Sequence, residues 1–373
     1  LLLPPSSAFA PALLGRWLAS ASLTLLGAGC GSTVADLGYY WQAVRGHWQI
    51  LDQARPIAEV IADPATDAAL RKRLEGARGL RRFAADELAL PDNGSYTQFA
   101  RLDRPFAVWN VVAAPEFSLA PYRWCFPVAG CVSYRGYYDL ESANREAEQL
   151  AASGYDVQVV GVPAYSTLGW FDDPLLSTFI HYPEVELGRL IFHELSHQVV
   201  FVKGDTEFNE SFATAVEQLG VERWLSRHGT GAQRDTWNAY QRRRAGFLAL
   251  LHRCRDRLDA LYREPATVEA RRAAKEAVFE TLRGDYRRLR DGDWGGFAGY
   301  DRWFERKLGN AHLAAVMAYS GWVPAFRQIY QQEGGDLERF YAAAARIGRF
   351  DPAARRAALQ RAGEATTIPA AAD

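Results

Sequence analysis

The sequence predicts a mixed α+β fold that is mostly helical, with short antiparallel strands and one long helical hairpin. Three observations carry this expectation. Apolar residues recur at helical spacing over most of the 373 residues. An aromatic and β-branched stretch punctuated by Pro and Gly lies between Phe106 and Tyr138. A 3-4 alternation of apolar positions starts at Trp237 and resumes after Pro265. With 49% hydrophobic and 23% charged residues the chain can bury a large core in one or two domains, which excludes disorder, a collagen-like rod and a disulfide-held miniprotein. Lys+Arg 43 against Asp+Glu 44 gives a formal net charge of -1, so there is no global positive field to hold a nucleic-acid backbone.

Taken in order, Arg16 is the lone positive charge before the apolar run Trp17 to Ala28. That run is too short to span a bilayer and reads as the core of a secretory signal over residues 1–29. Gly27, Ala28, Gly29 and Cys30 resemble the lipobox of bacterial lipoproteins, which implies cleavage before Cys30 and acylation of its thiol; plain secretion is the alternative. From Leu37 to about Leu90 the spacing predicts two or three packed helices, broken at Pro56, Pro64 and Pro91. Val108, Trp109, Val111 and Val112, then Tyr122, Trp124 and Phe126, then Val132, Tyr134, Tyr137 and Tyr138 read as short antiparallel strands. Cys125 and Cys131 flank a turn-rich stretch, which suits a hairpin closed by a disulfide in an exported protein. Zinc ligation by this pair is the alternative, although no second Cys/His pair stands nearby at zinc-site spacing.

Glu141–Ser153 reads as a helix stopped by Gly154, and Val157–Val162 as a strand. Leu187–Val202 is expected as a helix, Lys203–Phe208 as a connection and Asn209–His228 as a second helix ended by Gly229. The hairpin spans residues 232–290, with Cys254 on its apolar stripe as a buried, inert thiol. Residues 229–292 carry 15 basic against nine acidic side chains, which could face anionic lipid headgroups or simply line a solvated face. Helices resume at Trp303 and run to about Ala362, giving one domain over residues 30–362, with a disordered tail at 363–373.

His193, Glu194, Leu195, Ser196 and His197 form H-E-x-x-H. On a helix both imidazoles fall on one face, where they can share a metal ion, with Glu194 beside them as general base toward an attacking water. The flanking residues, Leu190, Ile191, Phe192, Leu195, Val199, Val200 and Phe201, are apolar, so two His and a Glu there need a satisfying partner. Glu210 lies thirteen residues after His197, within Asn209-Glu210-Ser211-Phe212-Ala213. This segment resembles the third-ligand segment N-E-x-F-[AS] of thermolysin-like zincins and would return a carboxylate to the metal. The resulting N/N/O set with an open position is that of a catalytic zinc site, although Co or Mn could occupy it. Glu217, two turns further on, is placed to accept from a ligand His, to read a substrate amine, or to form a surface salt bridge.

The segments Trp124–Tyr138 (WCFPVAGCVSYRGYY), Ala164–Pro174 (AYSTLGWFDDP), His193–Gln198 (HELSHQ) and Phe208–Ala213 (FNESFA) together resemble a bacterial family of predicted aminopeptidases, zincin-type and often lipoproteins. The resemblance runs from about Cys30 to about Gly348. It implies a zincin core and a zinc metallopeptidase acting on a peptide or protein, lipid-anchored in the cell envelope and facing the periplasm. The G-x-M-E-N segment by which well-known aminopeptidases bind a free amino terminus is absent, and Thr214 stands where thermolysin-like patterns carry an Asp. Of Asn310, His312 and Tyr319 in a later segment, Tyr319 is the expected oxyanion donor, with a core Tyr as the alternative, and Asn310 a residue beside metal or substrate. Val157–Ser166 is the candidate edge strand for an extended substrate above the motif helix, and Asp172 and Asp173 could sense its amine. The other readings are a metalloendopeptidase or cell-wall peptidase, and an envelope lipoprotein that uses the metal only structurally to bind a partner.

Overall fold

The computed structural model describes residues 31–126 and 130–364, so the expected signal segment, Cys30 and the tail from residue 365 lie outside the described residues. The chain divides into two compact units, up to Trp41 and from Gln42 onward. Helix α1 (Gly31–Asp52) crosses that boundary; within the first unit the Tyr39 and Tyr40 rings meet edge to face at 5.7 Å. The rest of the architecture belongs to the second unit.

Pro56 closes β1 (Arg55–Pro56) and opens α2 (Ile57–Ala62). Asp67 then caps α3 (Ala68–Leu88) by accepting from the Leu70 N–H at 3.0 Å. The Pro- and Gly-bounded stretch that follows forms β2 (Gln98–Ala100), β3 (Val108–Pro115), β4 (Trp124–Phe126), β5 (Gly130–Val132) and β6 (Arg135–Tyr137). After α4 (Leu140–Ala152), capped by Asp139 and stopped at Gly154 with φ 84°, come β7 (Tyr155–Val162) and β8 (Leu175–Leu176). One antiparallel sheet has the order β6-β3-β7, with β3 as its buried spine paired from Val108↔Val162 to Pro115↔Tyr155. A second sheet, β1-β2-β8, pairs β2 antiparallel to β1 and parallel to β8. The β4–β5 hairpin sets Cys125 opposite Cys131, and the two are joined by a disulfide.

The remaining elements are α5 (Glu184–Ser196), α6 (Thr206–His228), α7 (Gly231–Arg263), α8 (Val268–Asp291), α9 (Asp301–Phe304), α10 (Asn310–Met317), α11 (Val323–Gln332), α12 (Leu337–Gly348) and α13 (Pro352–Glu364). They build two cores. In one, α3, α5 and α6 pack with α11 and α12 around Phe192, Phe208, Phe212, Phe326 and Phe340. The other fills the α7–α8 hairpin with Phe247, Leu251, Cys254, Leu258, Phe279, Leu282 and Tyr286, and extends to Phe304, Leu308 and Leu313. The expected apolar stripe is therefore shared, since Trp237 belongs to the first core. Many of the hairpin's cations are engaged within the protein: Arg272 with Glu116, Lys275 with Asp156, Arg288 with Asp285 and Arg290 with Asp301. Among the described residues no helix is long and apolar enough to cross a membrane.

The motif region departs from the expected boundaries. Helix α5 ends at Ser196 rather than Val202, because the Val202 N–H and C=O are bonded to the Asn209 side chain at 2.7 and 2.9 Å instead of continuing a helix. Helix α6 starts at Thr206, not Asn209, because Asp205 caps it through the Phe208 N–H at 3.1 Å. The connection thus covers residues 197–205, longer than expected, and Asn209 ties it down at Val202 from inside the next helix. Gly220 permits close packing of α6 here, since a Cβ at that position would stand 2.8 Å from both Phe192 Cδ2 and Leu88 Cδ1. The expected edge strand forms over Tyr155–Val162. β7 is an edge strand of its sheet, but it is packed by α4 and α10, while α5 rests on α6 and α3.

Asn209→Ala strips the buried Val202 backbone of both partners. The expected loss is about 1–3 kcal/mol of unfolding free energy, read by urea denaturation; a loss within error would show that the turn closes without Asn209.

Candidate metal centre

Helix periodicity puts His193 in the last turn of α5 and His197 at its C-cap, with their rings T-shaped at 5.0 Å. Glu210 enters from the second turn of α6, and one ligand atom from each of His193, His197 and Glu210 lies within 4.8 Å of the others. Glu210 Oε2 stands 3.2 Å from His193 Nε2 and 3.7 Å from His197 Nε2. Two ligand atoms on one tetrahedral zinc with bonds of about 2.0–2.1 Å stand roughly 3.4 Å apart, so the three residues fit such an ion. All three side chains are buried, as is Glu194.

The electrostatics points the same way. Burial disfavours the charged form of His193, yet hydrogen bonds with Glu210 and Glu217 raise its pKa. Burial would likewise raise Glu210, but the hydrogen bond with His193 and the nearby His197 imidazole hold it below its usual range. The pocket therefore demands positive charge, which a proton or a metal cation can supply. Burial raises the Glu194 pKa, against the two imidazoles that lower it.

Glu217 is the carboxylate that orients His193. Its Oε2 accepts from His193 Nδ1 at 3.0 Å, which leaves Nε2 turned toward Glu210. Arg189 in turn donates to both Glu217 oxygens at 3.1 and 3.0 Å and to Glu186 at 2.9 Å. Although burial works against it, Glu217 is held below its usual pKa by Arg189 and His193. Arg189 was not among the sequence candidates, yet it stands one helical turn before His193, and that spacing is its signal. His197 Nδ1 is buried and has no partner among the described residues, so this imidazole lacks a comparable support.

Tyr319 comes to the cluster. Its ring stacks on His193 at 6.1 Å, and the Trp322 N–H donates to Ser211 Oγ at 3.1 Å, tying the segment to α6 beside Glu210. The Glu210 charge, with burial, pushes the Tyr319 hydroxyl well above its usual pKa, so it stays a donor. Asn310 and His312 do other work. Asn310 is fully buried, its amide donating to the carbonyls of Pro115, Glu116 and Ser118 and its Oδ1 accepting from Tyr262. It clamps α10 to the end of β3. His312 Nδ1 accepts from the Gly309 N–H at 3.2 Å, and burial brings its pKa down to about 4. Asp172 is exposed, whereas Asp173 is buried and accepts from the Thr167 N–H at 2.9 Å. Cys254 is a free, buried thiol, pushed up to about 12 by burial.

Two outcomes follow. Glu217→Ala leaves Arg189 and His193 Nδ1 without their shared carboxylate and should cost about 3 kcal/mol in chemical denaturation; a neutral result would remove Glu217 from this role. Asp173, raised by burial to about 6, holds its proton more tightly folded than unfolded, so its contribution to stability falls as pH rises from about 4 through 6. Asp173→Asn should therefore be the more stable protein at pH 7.5 by up to about 3 kcal/mol, with the gap closing below pH 5; a gap independent of pH contradicts this.

Comparison with curated proteins and with solved structures gave no match. A comparison with protein families gave one over residues 38–359, a span that contains every residue of the cluster. The chain belongs to the family described as "Putative aminopeptidase".

Proposed function

We propose that this protein is a zinc-dependent peptidase with a zincin-type core, in which His193, His197 and Glu210 hold the metal. The family match supports peptidase activity, and the observation that carries the finer reading is the convergence of two imidazoles and one carboxylate in a buried pocket beside a fourth, proton-accepting side chain. A zinc ion held there would supply Lewis acidity, lowering the pKa of a water to roughly 7 and polarising the scissile carbonyl. Glu194 accepts the proton of the attacking water on its carboxylate and passes it to the leaving amine. The Tyr319 hydroxyl donates to the carbonyl oxygen as that oxygen gains negative charge. Glu217, fixed by Arg189, keeps His193 in the tautomer that leaves Nε2 free. An envelope location through a lipid on Cys30 is part of the reading; the Cys125–Cys131 disulfide supports an oxidising compartment.

Glu194→Gln removes the base and keeps the size of the side chain. It should lower kcat by several orders of magnitude while zinc content stays near one per chain, as read by peptide hydrolysis and elemental mass spectrometry. Glu210→Ala should lose zinc. Full function in Glu194→Gln would instead indicate a metal-stabilised binding protein. Product analysis sorts the class of peptidase: released N-terminal residues mark an aminopeptidase, and internal cuts an endopeptidase.

A further inference from the structure

The β4–β5 hairpin occupies a position that the proposed chemistry leaves unused. It is a sheet of two strands with three residue pairs, too small to hold its register without support. Its base is fixed to the fold: the Tyr122 N–H donates to the Ala113 carbonyl at 2.8 Å, Trp124 Nε1 donates to Glu146 at 3.2 Å, and the chain that leaves β5 pairs with β3 as β6. The Cys125–Cys131 disulfide adds the covalent cross-link between the two strands.

This hairpin lies against the connection between α5 and α6. Gly130 has φ 76°, and a Cβ there would stand 2.8 Å from Lys203 Cγ and 2.9 Å from the Gly204 nitrogen, so β5 begins in direct contact with that backbone. Gly204 faces back: its own Cβ would stand 3.6 Å from the Cys131 nitrogen. Arg123 joins the two segments, its Nη2 donating to the Cys131 carbonyl at 2.6 Å and also to the Gly204 carbonyl. One guanidinium nitrogen thus links the start of β4, the middle of β5 and the connection.

Gly204 lies between His197 and Glu210 in the chain. On one side of it Val202 is held by Asn209, the neighbour of Glu210; on the other Asp205 caps α6, whose second turn carries Glu210. A displacement of Gly204 is therefore passed both to the Asn209 clamp and to the start of α6, and each bears on where the Glu210 carboxylate stands. His197, whose Nδ1 has no partner among the described residues, has no hydrogen bond there to correct its own position. Metal-binding atoms have to keep their bond lengths to within about 0.2 Å, so small shifts of one of them are felt as lost affinity.

We propose that the Cys125–Cys131 disulfide is a redox switch on the metal site, acting through Arg123 and Gly204 on the connection between His197 and Glu210. The assignment rests on the metal reading given under the proposed function. With the bond closed, the Cys131 carbonyl, Arg123 and the Gly204 carbonyl form one bridge; with it open, the short hairpin loses its register and Arg123 no longer holds both carbonyls. Cys125 is exposed, so an incoming thiolate can reach the bond. Reduction is an exchange: the two thiols of a dithiol close to a disulfide, the Cys125–Cys131 bond breaks, and each cysteine sulfur takes up one of the two hydrogens. The chain then holds zinc weakly in a reducing compartment and tightly in an oxidising one.

The test measures the zinc dissociation constant of the full chain by competition with a chelator, before and after reduction with a water-soluble phosphine. Reduction should weaken binding by roughly 10- to 100-fold, the range expected when the support of a metal-binding side chain is removed. Cys125→Ser/Cys131→Ser should bind as weakly before the reductant is added and be indifferent to it. Oxidised Arg123→Ala should also bind weakly, and its reduction should leave the affinity nearly unchanged, because the link is already cut. Equal affinities of oxidised and reduced wild type overturn the switch, as does an Arg123→Ala protein that loses affinity on reduction as steeply as the wild type. Amide hydrogen exchange supplies a readout that needs no metal: on reduction, exchange in residues 199–206 should quicken by about tenfold or more while that of β3 stays constant. Faster exchange in β3 as well would mark a general loss of fold and overturn the switch. If the wild type binds no zinc in either state, the metal reading fails separately; the switch is then judged by exchange alone, and constant rates in residues 199–206 overturn it.

Discussion

The crossing of α5 and α6 has to bring His193, His197, Glu210, Glu194 and Glu217 together where water cannot solvate them, and much of the surrounding fold serves that requirement. Charges so placed are tolerable only if each finds its opposite. Arg189 neutralises Glu217, Glu217 holds His193, and the two imidazoles face Glu210. Geometry follows from packing: Gly220 lets the backbone of α6 approach Phe192, and Asn209 fixes the turn between the helices from within α6. Apolar side chains on both helices then carry the burial, with Phe192, Phe208 and Phe212 fully enclosed.

The second core is tied to the same cluster through α10. Helix α10 is packed on β3 and β7 and is locked to the β3 end by Asn310. Leu313 inserts into the hairpin core of α7 and α8. The chain that leaves α10 therefore starts from a rigid support and delivers Tyr319 against His193 before Trp322 docks on Ser211. The hairpin thus has a structural task of its own, as the support of a helix that presents a site residue. Lys275, whose Nζ bonds both Asp156 and the Glu116 carbonyl, shows how its basic residues join in.

What could be read from the sequence was local. His193 and His197 are one turn apart, Glu210 and Glu217 two turns apart, and helix periodicity alone converts those spacings into shared faces. The hairpin was visible for the same reason, through Phe247, Leu251, Cys254 and Leu258. Helix ends were harder to place, because the end of α5 depends on Asn209 reaching back to Val202, a contact that no periodicity encodes. Asn310 looked like a site residue because a polar side chain near Tyr319 suggests function, yet three carbonyls at the end of β3 claim its amide. Tyr96 was invisible: it lies in a loop without a motif, and only the fold brings its N–H to the Asp173 carbonyl at 2.7 Å. Arg189 could have been found, since it precedes His193 by the same four residues that separate the two histidines.

The proposed chemistry requires one metal ion at the α5–α6 crossing, bound through two imidazoles and a carboxylate. X-ray absorption at the zinc edge on the zinc-loaded full chain tests it most directly. Nitrogen and oxygen scatterers at about 2.0–2.1 Å, with imidazole outer-shell features and no sulfur, are expected. A sulfur shell at about 2.3 Å, or a spectrum of fully hydrated zinc, would contradict it.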